Sequence, residues 1–207
     1  MTDPQEVLDL LDWKRRVFEV YADVRAAEPL EAWQRWRNVR DELFRSHPQS
    51  PLPAGDRETF QSLDLYEYDE TWRATGAIAS ARVEELRIPS SRDEEMVFTR
   101  LGTVRFALRG GDHSLDVFWI GGYGGGLFLP FRDATTGRET YGAGRYLYDT
   151  IKGADLGTTE TGALVLDFNF AYNPSCAYDS RWSCPLAPPG NVLELPVEAG
   201  EKAPRRG

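Results

Sequence analysis

Thr103-Val104-Arg105-Phe106-Ala107-Leu108, then Gly110-Gly111-Asp112-His113, then Ser114-Leu115-Asp116-Val117-Phe118-Trp119-Ile120, is the stretch on which the fold turns. Apolar and polar residues alternate on both sides of a glycine turn, which predicts two antiparallel strands. Working outward, Met96 to Leu101 reads as a neighbouring strand, and Trp72 to Ile78 and Val83 to Ile88 as earlier ones. Leu63, Leu65, Tyr66 and Tyr68 lead into them with the same period of two. Leu127 to Phe131, Arg145 to Tyr148, Ala163 to Phe170 and Val192 to Val197 supply later strands. Gly121-Gly122-Tyr123-Gly124-Gly125-Gly126 reads as a hairpin loop, because no helix and no Lys-Ser/Thr pair follows it to make a phosphate loop. Short strands punctuated by turns predict an antiparallel barrel or sandwich, and the lack of strand–helix alternation argues against a doubly wound nucleotide fold.

Ahead of the strands the period is 3.6. Asp3 is placed to cap a first helix, with Pro4 in its first turn. Val7, Leu10, Leu11, Trp13, Val17, Tyr21 and Val24 form its apolar stripe. Glu28-Pro29 breaks the chain, and a second helix runs from about Leu30 to Ser46, with Leu30, Trp33, Trp36 or Val39, Leu43 and Phe44 on one face. The prolines of His47 to Gly55 forbid helix and predict an extended linker. The predicted class is α+β: an N-terminal helical pair and linker (residues 1–55) packed on an antiparallel barrel-like domain (residues 56–207), with a split barrel as one version of it.

The 207 residues carry 24 Lys+Arg against 33 Asp+Glu, a formal net charge of −9. That balance argues against a nucleic-acid backbone or an anionic membrane as partner, since no global cationic field draws either in. No apolar run approaches the ~20 residues of a membrane span. The start, Met1-Thr2-Asp3-Pro4-Gln5-Glu6, lacks a basic and then apolar leader, so the expected compartment is the cytoplasm. The cations are nearly all arginine, with lysine only at Lys14, Lys152 and Lys202.

Two separated histidines, His47 and His113, and two cysteines give no metal-ligand spacing, so no metal is expected. No G-x-S-x-G elbow marks a serine hydrolase. Cys176 and Cys184 leave three readings open: buried reduced thiols, a disulfide, or a redox pair. The segment from Phe131 to Glu201 is rich in side chains that bind ligands. Alternation on the strand Leu164 to Phe170 puts Asp167 and Asn169 on one face. A pair such as Arg145–Asp167 fits structural glue or an anchor for a polar substrate, and spacing alone favours the structural role.

Phe131-Arg132-Asp133-Ala134-Thr135-Thr136-Gly137-Arg138-Glu139-Thr140-Tyr141-Gly142-Ala143-Gly144-Arg145-Tyr146-Leu147 closely resembles a signature of a family of uncharacterised bacterial and archaeal proteins, catalogued as domain of unknown function 1684. Asp167-Phe168-Asn169-Phe170-Ala171-Tyr172-Asn173-Pro174-Ser175-Cys176-Ala177-Tyr178, Cys184-Pro185-Leu186-Ala187-Pro188-Pro189-Gly190-Asn191 and Ala199-Gly200-Glu201-Lys202 resemble the rest of the set. Trp36-Arg37 through Ser50-Pro51-Leu52 is similar to the family's helix and linker. Gly190 departs from the pattern, where a larger polar residue is expected before Asn191.

The density of motif in the last third implies a shared site built from Arg132, Tyr141, Arg145, Asp167, Asn169, Asn173, Cys176 and Asn191. The resulting expectation is a small-molecule-binding barrel, with or without catalysis. Arg132 and Arg145 would anchor an anion or carbonyl, Asn169 and Asn173 would fix hydrogen-bond geometry, Tyr141 and Asn191 would join in binding the ligand, Asp167 would orient an Arg or act as acid or base, and Cys176 as nucleophile. No cofactor is assigned. A second expectation, by fold analogy, is a flavin oxidoreductase of the split-barrel kind, for which no flavin-phosphate motif can be placed. A third is an interaction module that docks through Trp33 and Trp36, against which stands the habit of helical aromatic stripes to face the core. Oligomeric state is not legible.

Overall fold

A computed structural model describes residues 3–92 and 95–204. The first two residues, Asp93, Glu94 and the end of the short basic tail (205–207) lie outside the described residues.

Helix α1 runs Pro4–Ala26 and α2 runs Pro29–Ser46. The Asp3 carboxylate accepts from the Gln5 N–H at 2.9 Å, which satisfies one of the first-turn donors, and Pro4 needs none. In α1 only Val20 and Tyr21 are buried, whereas Val7 and Leu11 of the predicted stripe are half exposed. Buried contact is confined to the second half of that helix, and its first half carries apolar residues to the surface. In α2 Trp33, Trp36, Leu43 and Phe44 of the expected stripe are buried, joined by Ala32, while Leu30 at its start is exposed. Both tryptophans lie in the same core as the barrel strands, and the Trp33 indole donates to the Asn169 carbonyl at 3.2 Å. They pack the core, and an interaction surface cannot use them.

The linker is folded down, in contrast to the extended reading. Ser50 and Leu52 are buried, a short turn α3 (Ala54–Arg57) follows, and the guanidinium groups of Arg57 and Arg181 donate to its carbonyls. Proline had removed backbone donors from this stretch, and arginine side chains supply them instead.

Six antiparallel strands follow: β1 Arg73–Pro89, β2 Glu95–Leu108, β3 Gly111–Ile120, β4 Gly126–Phe131, β5 Arg145–Asp149 and β6 Leu164–Asp167. The segments read as separate strands within 72–88, and again within 96–108, are single long strands. Each is continuous through a shift of register, between Ser80 and Glu84 and between Arg100 and Gly102. Gly102 marks a close approach rather than a turn, since a Cβ there would lie 2.3 Å from the Ala79 carbonyl oxygen.

The sheet order is β5-β4-β3-β2-β1-β6, with β6 returning to pair with β1 at Arg73↔Asp167 through Gly76↔Leu164. The two outer strands are then brought together. Tyr146 on β5 exchanges backbone hydrogen bonds with Tyr172 at 2.9 and 3.0 Å, and the Tyr148 hydroxyl lies 2.8 and 2.7 Å from the carbonyls of Gly157 and Val165. The result is a nearly closed six-stranded barrel with a helical pair packed on it. Trp36 meets Phe170 edge to face at 5.4 Å, and Phe131 meets Phe168 at 5.2 Å.

Two expected strands are shorter or absent. Strand β6 stops at Asp167, and Phe168–Phe170 form a 3-10 turn, so Leu166, Asp167, Phe168 and Asn169 are all buried instead of alternating between two faces. The chain from Val192 to Val197 forms no strand beyond a single bridge of Val192 to Arg132. Its backbone groups are met by side chains, as described next.

Candidate functional site

Arg145 is held within the protein, its side chain 1 % exposed. Nη2 donates to Asp133 Oδ2 at 3.0 Å and to the Val197 carbonyl at 2.9 Å, while Nη1 donates to the carbonyls of Ala199 and Glu201. Its carboxylate partner is Asp133 and not Asp167. Burial pulls the Arg145 pKa down, and the Asp133 charge opposes that pull. Asp133 also accepts from the Val197 N–H at 3.2 Å, so one ion pair pins the strandless segment before Glu201.

Asp167 caps the turn after β6, accepting from the Asn169 N–H at 3.1 Å and side-chain amide at 2.9 Å, and burial pushes its pKa up. Asn169 in turn clamps Asp69 through both its amide atoms. Asn191 donates to the carbonyls of Asp116 and Pro130 and accepts from the Asp116 N–H, which ties β3 to β4. The Arg132 backbone bonds to Asn191 and Leu193. These side chains join elements of the fold to one another.

A different group surrounds a partly enclosed cavity of ≈ 60 Å³ between the helices and the barrel, lined by Trp13, Tyr21, Arg40, Tyr172, Asn173 and Lys152 among others. Arg40 comes from α2, and its Nε and Nη2 both donate to Glu201 Oε1, the former at 2.9 Å. Glu201 is fully buried, and its Oε2 accepts from the Asn173 N–H and the Tyr178 hydroxyl, each at 2.8 Å. The guanidinium carbon lies 5.0, 5.3 and 5.1 Å from the ring centres of Trp36, Phe44 and Tyr172. Burial lowers the Arg40 pKa, but the charges of Glu201 and its neighbours outweigh it, so the net shift is upward and the group stays cationic.

Four polar atoms here are left over. Arg40, its side chain 11 % exposed, makes no hydrogen bond through Nη1 among the described residues, and that atom is not one of the buried unpartnered ones. Asn173 Oδ1 is buried without a partner. The Tyr21 hydroxyl has the Trp36 indole beside it, yet neither completes a hydrogen bond. Buried polar atoms are nearly always satisfied, so a cluster of unsatisfied ones calls for a partner. The Lys152 ammonium, 3.7 Å from Asp149, adds a second cation at the rim.

The profile of the family described as "Protein of unknown function (DUF1684)" matches residues 58–202. The chain belongs to the DUF1684 family. Among solved structures, this DUF1684 chain is similar to an uncharacterized protein of Haloarcula marismortui determined in solution by NMR, with 34 % sequence identity and a TM-score of 0.56. The likeness covers 82 % of this chain and 91 % of that one. No curated protein matches.

The family's motif residues therefore divide into three places. Arg145, Asp167, Asn169 and Asn191 lie among their internal partners, and Arg132 beside Asn191. Asn173 lines the cavity. Tyr141 and Cys176 stand together, hydroxyl to sulfur at 3.7 Å. Sequence reasoning missed Arg40 and Glu201. The signal for Arg40 was present: it stands four residues after Trp36 and four before Phe44, a lone charge on an apolar helix stripe. Its partner sits 161 residues away, and nothing in the spacing marks it.

Proposed function

We propose that this DUF1684 chain binds a small oxyanion or short-chain carboxylate in the cavity beneath α1, with Arg40 as its anchor. The observation that carries the proposal is the unused Nη1 of Arg40, a donor held in place by the two bonds that its other nitrogens make to Glu201. A guanidinium so fixed meets an oxyanion without further ordering of its own. Asn173 Oδ1 accepts only, so it meets a protonated ligand oxygen or a bridging water, and Lys152 supplies charge at the entrance. Trp13, Phe44 and Tyr172 offer apolar surface for a short carbon chain.

The cavity volume limits the ligand. About 60 Å³ holds a handful of non-hydrogen atoms. Sites for drug-sized ligands run to roughly 300–1,000 Å³, so a flavin does not suit this cavity.

The test is a titration of isotope-labelled protein with acetate, oxalate and inorganic phosphate, followed by NMR. The reading expects at least one of them to shift the Trp13 indole and Asn173 side-chain amide signals together and saturably. Lys152→Ala should weaken that binding by roughly two- to fivefold, the worth of one exposed charge. Shifts scattered over the surface, or none at Trp13 and Asn173, would overturn it.

A further inference from the structure

Cys176 and Cys184 are both free thiols, eight residues apart, and the fold sets them face to face. The Cys176 N–H donates to the Cys184 sulfur at 3.3 Å. The two positions differ in exposure and support. Cys184 is buried and fastened just beyond β1: its N–H donates to Ser91 Oγ at 3.1 Å, and its carbonyl accepts the Ser91 N–H at 2.8 Å. Cys176 sits in a single 3-10 turn, Ser175–Ala177, and is partly exposed. The Tyr141 hydroxyl lies 3.7 Å from its sulfur.

We propose that Cys176 and Cys184 form a dithiol–disulfide couple that reduces a hydroperoxide, with Cys176 attacking and Cys184 resolving. The Cys176 thiolate attacks one peroxide oxygen, the O–O bond breaks, and the leaving oxygen takes a proton to depart as water or an alcohol. Cys176 becomes a sulfenic acid. The Cys184 sulfur then attacks the Cys176 sulfur; the S–S bond forms, the S–O bond breaks, and water leaves with the Cys184 proton. Two electrons pass from the thiols to the peroxide, and an external dithiol returns the couple to its reduced form by exchange.

Three features of the fold favour this division of labour. Cys176, the partly exposed member of the pair, is the one a peroxide reaches, since Cys184 is buried. Hydrogen bonding from the Cys184 thiol, then from Ser91 and Tyr141, holds the Cys176 thiol below the usual range against the opposing effect of burial, whereas Cys184 is pushed above it. The resolving sulfur already touches the backbone of the residue it must join, so the second step needs no movement of β1. The inference does not depend on the anion cavity.

The test uses the full chain, reduced and freed of reductant, then treated with stoichiometric hydrogen peroxide. Peptide mapping by mass spectrometry should find Cys176 joined to Cys184 with the loss of both free thiols. Cys184→Ser should stall at a sulfenic acid on Cys176 that dimedone traps, and Cys176→Ser should leave Cys184 unoxidised. In the untreated wild type, Cys176 should alkylate at least about tenfold faster than Cys184 at neutral pH. Wild-type protein that goes to sulfinic acid without the crosslink, or two cysteines that alkylate at equal rates, would overturn the proposal. These two readings need no variant, so they decide the matter even if a substituted chain misfolds.

Discussion

Arg40 and Glu201 stand 161 residues apart and meet through two hydrogen bonds on one carboxylate oxygen, with the carboxylate fully buried. Helix α2 is thereby fastened to the segment that carries Glu201, and the cavity lies against that joint. Removing one charge of a buried pair leaves the other uncompensated, at a cost of about 3–5 kcal/mol. Glu201→Gln should lose stability in that range by urea denaturation. The double variant Arg40→Met, Glu201→Leu should lose much less, because apolar replacement of both partners restores a dry contact. Losses in Arg40→Met and Glu201→Leu that simply add in the double variant would show that the pair is not coupled.

Arg145 acts one step further back. Its forked donors gather the carbonyls of Val197, Ala199 and Glu201, which places the Glu201 side chain for Arg40. Lysine keeps the charge but has no planar fork to reach Asp133 and three carbonyls at once. Arg145→Lys should therefore cost on the order of 2–4 kcal/mol, since buried acceptors lose their donors. Hydrogen exchange should rise at the amides of Val197 and Glu201 before it rises in β2 and β3. Unchanged protection there would remove Arg145 from its role in placing the cavity.

The local periodicities carried the fold. The alternation around Gly110, the capping residue Asp3 and the apolar stripe of α2 each act within a few residues, and each is where the pattern puts it. Long-range pairing was out of reach. Ala163 to Phe170 reads as one strand because nothing local reveals that the Asp167 carboxylate folds back on Asn169 to start a turn. Val192 to Val197 has the composition of a strand, but its backbone groups are taken by Arg132, Asp133 and Arg145 instead of a neighbouring strand. The site shows the same division. Motif density pointed to Asn173, while Arg145 and Asn191 shared that density because they hold the chain together. Arg40 was visible as a charge on an apolar stripe and Glu201 lay in a quoted motif, but nothing local paired the two.

Gly200 tests how the joint is built. Its φ is 73°, and an added Cβ would lie 2.4 Å from the Ala171 carbonyl oxygen and 2.8 Å from that of Phe168. Both the backbone angle and the space resist a side chain, which together cost on the order of 2 kcal/mol or more. Gly200→Ala should lower the denaturation midpoint and also displace Glu201, so that the response of Trp13 to added anion weakens. A variant that loses stability but keeps the full anion response would separate the joint from the cavity.

The reactivity of Cys176 should follow pH in a way that names its partners. The Cys184 thiol is the leading donor to the Cys176 sulfur, burial works against ionisation, and Ser91 and Tyr141 add to the donor side, so the pKa falls to about 6. A lowered pKa means that the thiolate, the form that reacts, dominates at neutral pH. Alkylation by iodoacetamide should thus climb roughly tenfold between about pH 5 and pH 7 and change little above that, whereas an ordinary thiol keeps climbing to about pH 8.5. Cys184→Ala removes the first donor and should move the midpoint up by more than Tyr141→Phe, which removes a later one. Rates are read at Cys176 by mass spectrometry across the pH series. A wild-type midpoint near that of a free thiol, or a larger shift from Tyr141→Phe than from Cys184→Ala, would show that the neighbouring thiol does not govern Cys176.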